Sequence, residues 1–505
     1  MRPLILSIIV FISVISAGAA PLKVEVGLAR PIAPDLLGIN GNLMSLPGAS
    51  TNEDFLDAFR QTHAGLFRYP AGTIANTWDW DIGGLDPTVP DEDLITWVRQ
   101  LDRTGNPPHP HGIPEIARIY RETGATISFV LNMLSRDLEH SLRGLRAARA
   151  AGVPIRYIEM GNELYFNLPL ESRIFPTPEE YGRVCSEWIR AIKAEFPGVQ
   201  CALVAGGKPH KARSKNWIER ALSTCPEADA IVVHVYTPSG LAGPARKNFT
   251  AGTEALVDHD RTLPLAERQR QELAKLNTPE GIARVMATAY SAAAKVQEFN
   301  TRTSMPIWLT EWNLRDDEAA FRGTWAHTLF TATMFHGLLE NPAIEITHYH
   351  NVMSPIFGAF YRTAEELDHV VIKDLKSQPW HLTAGGLALQ FFARTTTGRV
   401  GAEPLNLPSA GTLESAGMTA PTSFGWRFRQ AGGSTAIILV NLGEKAQTVA
   451  TRELSPAGVP VETYSAPVDH YIESNDSVAA QPSTLGDTLS LPPFSVTLIN
   501  PTPIR

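Results

Sequence analysis

Two glutamates stand at the ends of apolar, β-branched runs: Glu163 closes "IRYIEMGNE" (155–163), and Glu311 lies in "PIWLTEW" (306–312). A carboxylate at the end of a buried strand is costly to hold unless it has a partner or a task. Two of them, delivered by separate strands to one mouth, suit the cleavage of a glycosidic bond. One carboxyl protonates the departing oxygen, while the other attacks the anomeric carbon or, across a wider gap, activates a water. The two tasks need different proton affinities, because the acid must stay protonated near neutrality and its partner ionised. Their spacing along the chain leaves retention and inversion both open.

Other polar residues fall at the ends of comparable runs. Arg68 in "GLFRYP" and Tyr236 in "AIVVHVY" are suited to favour an ionised carboxylate, one as a cation and one as a phenol donor. Asn162, next to Glu163, could bond a sugar 2-hydroxyl. His234, Asn132 and the group His348, His350 and Asn351 also occupy strand ends. Trp78, Trp80, Tyr165 and Trp312 offer apolar faces for sugar rings, although tryptophan is as often a core residue. Glu159 shares the alternating face of Glu163 at greater depth and reads as a structural hydrogen-bonded group. Arg68 has a competing role as a buried ion-pair partner, which would draw it to the same carboxylates.

These residues need a scaffold that gathers strand ends. Short apolar segments alternate with amphipathic stretches about eight times: 36–40, 65–70, 126–133, 155–163, 201–207, 230–236, 306–312 and 345–351. Eight such beats predict a (β/α)8 TIM barrel over 34–380, whose active site lies where the strands end. Insertions at 83–113 and 238–280 follow strand ends and should overhang that face. From 381 to 505 the pattern turns to short alternating strands, "GWRFRQ", "TAIILVNL", "VETYSA" and "FSVTLIN", which predict a C-terminal β-sandwich. The segment "LKVEVGLAR" within 21–33 is β-like and could add a strand to it.

Composition narrows the class. The chain has 505 residues, a formal net charge of -8 and 44% hydrophobic residues, which gives no basic footprint for nucleic acid. Residues 1–20 read as a signal peptide: Arg2, an apolar run from Leu4 to Ser16 and the small residues Ala17-Gly18-Ala19. A secreted or periplasmic protein, not held in a membrane after cleavage, is expected. Cys185, Cys201 and Cys225 cannot all pair within one chain, and a single bridge such as Cys201 to Cys225 stays open. The histidine pairs His109/His111 and His348/His350 lack an HExxH helix or a cysteine-rich partner, so no metal or other cofactor is expected.

Four motifs together resemble a known group. "EMGNE", "TEWN", "FRYPAGT" followed by "WDW", and "HVY" are similar to the signatures of retaining glycosidases of glycoside hydrolase clan A. The nearest likenesses are to the α-L-arabinofuranosidase group and the heparanase and β-glucuronidase group. The resemblance implies a carbohydrate substrate, Glu163 as acid/base, Glu311 as nucleophile, Arg68 and Tyr236 as the nucleophile's partners, and Asn162 as a sugar ligand. Ala71 stands where arabinofuranosidases carry a glycine. An arabinofuranoside and then a glucuronide are the sugars it suggests; a glucuronide carboxylate needs cations or donors, for which Lys208, His210 and Lys211 after the fifth strand are candidates, with a solvated basic loop as the preferred reading of them. A silent carbohydrate-binding protein and a polyuronide lyase are the rivals on this scaffold.

Overall fold

The computed structural model describes residues 20–42, 50–96, 98–99, 110–206, 211–241, 262–315, 319–352, 358–361 and 381–504. Residues 1–19 of the expected signal, His109, Lys208 and His210 lie outside them. Eight parallel strands close into a barrel: Leu37–Asn40, Leu66–Tyr69, Thr126–Val130, Tyr157–Met160, Gln200–Val204, Ala230–Thr237, Ile307–Leu314 and Ile344–Tyr349. Each pairs with its successor, and the eighth pairs with the first. All eight coincide with the apolar segments legible in the sequence. Their near-continuous apolar composition reflects burial on both faces, as a barrel lined inside by side chains and outside by helices requires.

Helices between the strands start where capping chemistry permits. Thr177 caps Pro178–Glu195 in a capping box with Glu180, and Asp137 caps Leu138–Ala150 by accepting from the His140 amide. The expected insertion at 238–280 contains the helix Leu265–Leu276. Among the described residues no helix is long and apolar enough to cross a membrane.

Two strand ends depart from regular alternation. The fourth strand stops at Met160, short of Glu163, because the chain turns through positive φ at Gly161 (86°) and again at Glu163 (47°). In the seventh strand, Val233 of the neighbour pairs with Leu309 but His234 pairs with Glu311, so Thr310 is an extra residue. Such a bulge re-aims side chains. Ala71 adopts φ 72°, a left-handed conformation that costs a residue with a Cβ roughly 1–2 kcal/mol.

The last barrel helix corrects the expected domain boundary. Ala384–Thr396 is a fully buried helix beyond residue 380, packed against Trp325–Leu339 and Glu53–Thr62. Its residues are mostly apolar or small, and its polar ones, Gln390 and Arg394, are buried with the rest, so no polar stripe marks a solvent face. After it an antiparallel sheet runs Glu25–Val26, Gly401–Asn406, Ser423–Arg429, Thr435–Asn441, Ser495–Ile499, Pro460–Ser465 and Gln481–Thr484. Alternation splits its faces: Ile438, Val440, Trp426 and Leu498 join the core shared with the barrel. Ile437, Leu439 and Val461 instead join a second core with Val449, Leu489 and Leu491 of a two-stranded layer. The second sandwich layer is therefore much smaller than the first. Cys185, Cys201 and Cys225 are buried and free, so the Cys201–Cys225 bridge is not formed.

Trp80 shows how tightly the second-strand insertion is seated. A Cβ at Gly144, inside the helix Leu138–Ala150, would lie 1.5 Å from the Trp80 ring. Alanine normally stabilises a helix interior by about 1 kcal/mol relative to glycine. Here Gly144→Ala is expected to destabilise by about 1–3 kcal/mol through overpacking. Chemical denaturation measures it, and a gain in stability would refute this packing.

Candidate active site

Arg68, fully buried on the second strand, organises the mouth. Its Nε and Nη2 donate to the two oxygens of Glu159 at 2.8 and 2.7 Å, its Nη1 donates to Glu311 Oε1 at 2.9 Å, and Nη2 also donates to Asn162 Oδ1 at 2.9 Å. Glu311 receives further donors, from Asn40 Nδ2 at 3.4 Å and from the Tyr236 hydroxyl at 2.5 Å on Oε2. The His234 and His350 Nδ1 atoms lie 3.5 and 3.7 Å from that oxygen. Burial alone would raise the Glu311 carboxyl. His234, His350, Arg68 and Tyr236 outweigh it and hold the group well below the usual carboxylate range. Burial pushes His350 itself down to about 4, so Arg68 and the Tyr236 hydroxyl are the supports of Glu311 that need no histidine proton.

Glu163 has a different setting. Its Oε1 accepts from the Tyr165 hydroxyl at 3.0 Å and lies 3.1 Å from His234 Nδ1. Burial, followed by Glu163, raises Tyr165 well above the ordinary phenol range, which keeps it a donor. His234 is protonated more readily than usual: burial opposes this, and the Glu311 and Glu163 carboxylates outweigh it. Its other nitrogen, Nε2, is 3.1 Å from Thr310 Oγ1, whose own proton goes to Glu159 Oε2 at 3.2 Å. The hydroxyl must therefore accept from Nε2–H, leaving Nδ1 to face the glutamates. When protonated, His234 therefore donates Nδ1–H toward the Glu163 carboxyl. An oxygen of Glu163, His234 Nδ1 and an oxygen of Glu311 all lie within 4.8 Å of one another.

The bulge explains how two adjacent residues reach one site. In a regular strand Thr310 and Glu311 would point to opposite faces. Here both touch His234, Thr310 through Nε2 and Glu311 through Nδ1. Asn162 is fixed by reciprocal bonds with Asn76, its N–H donating to Asn76 Oδ1 at 2.9 Å and its carbonyl accepting from Asn76 Nδ2 at 2.7 Å. Among the described residues its own Nδ2 is buried with no hydrogen-bond partner.

Arg68, Asn162, Glu163, Tyr165, His234, Tyr236 and Glu311 thus come together. Three expected ligands do not present themselves to a sugar. Trp78 is fully buried, donating its Nε1 to the Tyr69 hydroxyl at 2.9 Å. Trp312 is buried in a stack on Phe335 with ring centroids 5.2 Å apart. Asn132 is buried, donating to the Trp78 carbonyl at 3.0 Å and accepting from the Leu134 and Ser135 amides, which is a turn-forming role. Trp78 and Asn132 are held by these hydrogen bonds and Trp312 by its stack, none of which residue type alone announces. The other tryptophan proposed as a platform, Trp80, is buried as well. Asn40, Asn76 and Thr310 were not singled out from the sequence. Asn40 ends the first strand as Arg68 and Tyr236 lie near the ends of theirs, so the strand-end rule covers it. Asn76, on a 3-10 turn at Thr73–Thr77, carries no such signal.

Two sets of donors could hold a cation geometrically, Glu163/His234/Glu311 and Asp79/Asp81/His140. In both, carboxylates already accept from guanidinium groups: Arg68 on Glu311, and Arg136 and Arg143 on Asp79 and Asp81.

No protein-family model and no curated protein matches the chain. Solved structures do. An α-L-arabinofuranosidase from Thermotoga maritima in complex with arabinose is 16% identical, with 95% of this chain and 99% of that one covered at a TM-score of 0.61. A family 51 α-L-arabinofuranosidase from Bifidobacterium longum is 17% identical over 94% of this chain and 99% of that one, with a TM-score of 0.59. A 4-O-α-L-rhamnosyl-β-D-glucuronidase from Fusarium oxysporum is 12% identical over 95% and 99%, with a TM-score of 0.53. The arabinofuranosidase and glucuronidase groups that the motifs resemble are thus the groups whose fold this chain shares, a closed parallel barrel carrying a C-terminal antiparallel sheet unit, over nearly its whole length.

Proposed function

We propose that this protein is an exported retaining O-glycosidase, best matched to an α-L-arabinofuranoside. The observation that carries the reading is the pair Glu163 and Glu311, oxygens within 4.8 Å, with Glu311 held ionised by Arg68, Tyr236 and the histidines and Glu163 met only by Tyr165 and His234. That spacing fits the short separation of retaining enzymes, about 5–5.5 Å, better than the wider gap that admits a water. Glu311, kept ionised, attacks the anomeric carbon as the bond to the leaving oxygen breaks. A proton passes from Glu163 to that oxygen. In the second half Glu163 takes a proton from water, whose oxygen displaces Glu311 and restores the carboxylate. Asn162 Nδ2, buried at the same mouth and without a partner among the described residues, supplies a donor for the sugar hydroxyl next to the reacting carbon. Tyr165 serves the acid through its hydroxyl more than as a ring platform.

A panel of aryl glycosides, with arabinofuranoside, glucuronide, xyloside, galactoside and glucoside side by side, is expected to show hydrolysis, fastest on the arabinofuranoside. A slow fluorinated analogue of the sugar hydrolysed best should then label Glu311. No turnover on any member would favour a silent binding protein, and a new ultraviolet absorbance from an unsaturated product would favour a lyase.

The pH dependence carries a sign. Glu311 must be ionised to attack, and its environment depresses its proton affinity, so the acidic limb of kcat/KM should lie below the ordinary glutamate range. Tyr236→Phe removes one donor to the ionised form. The limb should move to higher pH and kcat fall by roughly 10²-fold, the scale of losing one transition-state donor. An unmoved limb would count against Tyr236 as the nucleophile's partner.

Export rests on the leader-like residues 1–20. Sequencing the amino terminus of the protein recovered from medium or periplasm should find it beginning near residue 20 or 21; recovery only from the cytoplasm with Met1 retained would refute export.

A further inference from the structure

Glu163 is held at a backbone conformation that L-residues avoid, φ 47°, on a connection that leaves the barrel wall directly after the fourth strand. A side chain there keeps its aim only if the surrounding chain over-determines it. One cation supplies that constraint. Arg213 lies on the turn after the fifth strand, just before the helix Trp217–Leu222. Its Nη2 donates to the carbonyl of Leu164 at 2.8 Å and of Glu171 at 3.0 Å, its Nη1 to that of Phe166 at 2.7 Å, and its Nε to that of Phe175 at 2.9 Å. The guanidinium also lies 4.9 Å from the centroid of the Trp217 ring, whose Nε1 is tied to the fifth strand through the Val204 carbonyl at 3.0 Å. Four bonds from one fork go to backbone carbonyls on both sides of the catalytic loop, and none of these four goes to a carboxylate.

We infer that Arg213 is a positioning residue for the acid/base step, pinning the Leu164–Phe175 loop to the fifth strand so that Glu163 meets His234 and the leaving oxygen. The inference rests on the reading of Glu163 as acid/base. Chemistry favours arginine here, since its planar fork spreads five donors over three nitrogens while the three donors of a lysine ammonium radiate from one. Glu163 keeps its two partners, Tyr165 and His234, only while the loop holds its place. A shift on the order of 1 Å from a distant contact costs about 10²-fold in rate. Glu311 sits on the other side of the barrel, pinned by Arg68 and Tyr236, and does not depend on this loop.

That asymmetry gives a readout that a merely structural role would not move. Proton donation matters for a poor leaving group and little for an activated one. Arg213→Met and Arg213→Lys are compared with wild type and with Glu163→Ala, on phenyl and 2,4-dinitrophenyl glycosides of the sugar identified by the panel, arabinofuranosides being expected. In both Arg213 variants kcat/KM should fall at least about ten-fold more on the phenyl than on the dinitrophenyl substrate, in the same direction as in Glu163→Ala. The basic limb of the pH profile on the phenyl substrate should shift in both. Equal losses on both substrates, with Glu163→Ala still selective, overturn the role of Arg213 and leave the acid/base assignment standing. If Glu163→Ala itself loses equally on both, the acid/base reading fails and takes the inference with it. Should neither Arg213 variant fold, as judged by circular dichroism, the residue serves the fold alone and the inference is likewise overturned.

Discussion

At the centre of the barrel mouth one buried guanidinium, that of Arg68, is shared by Glu159, Asn162 and Glu311. It brings one positive charge to two buried carboxylates, so the cluster carries an excess of negative charge before its neutral donors are counted. Removing one partner from such a cluster typically costs about 3–5 kcal/mol, because the remaining charge is stranded away from water. Each oxygen of Glu159 accepts a bond from the same Nε/Nη2 edge of Arg68, which fixes the orientation of the fork. Glu311 is then left with one guanidinium bond on Oε1, and its second oxygen is met by Tyr236 from the neighbouring strand. The two ion pairs of Arg68, to Glu159 and to Glu311, are here one object, and neither can be changed without the other.

The constraint propagates outward. To bring Glu311 onto Arg68 while Thr310 reaches Glu159, the seventh strand must place consecutive side chains on the same side, which its extra residue accomplishes. Thr310 then dictates which nitrogen of His234 carries a hydrogen, and so which nitrogen faces the glutamates. The hydrogen-bond polarity of the mouth is thus set from the barrel floor upward, from Arg68 through Glu159 and Thr310 to His234.

Much of this was legible in the chain. The eight barrel strands showed themselves as apolar runs, and Glu163, Glu311, Arg68, His234 and Tyr236 stood at their ends, because burial on both faces leaves a strand few other places for polar residues. What resisted reading had particular causes. Trp78 and Trp312 are aromatic residues close to the mouth, but one turns into the packing around Tyr69 and the other into that around Phe335, and residue type does not reveal which way a ring faces. The bulge at Thr310 has no marker in "WLTEW", where alternation predicts the wrong face for one of two neighbours. Ala384–Thr396 escaped notice because a helix buried all round loses the amphipathic period that identifies one. The hydrogen bonds of Arg213 named above all go to backbone carbonyls, which every sequence possesses, so its residue type does not distinguish it from a solvated surface arginine.

The helix Trp325–Leu339 is buried along its entire length, covered outside by Ala384–Thr396 and by the face of the C-terminal sheet. Trp325 donates its ring N–H to the Phe494 carbonyl at 2.6 Å, and His336 stacks on Phe424 with centroids 4.0 Å apart. A barrel helix normally offers water one polar stripe, and this one has none to offer. The boundary between barrel and sheet is consequently drawn in the sequence but not in the energetics: the barrel wall acquires its outer surface only when the sheet is added. Exchanging the sheet unit between relatives would mean exchanging the lining of that wall, so in this chain the smallest heritable module is the two parts together.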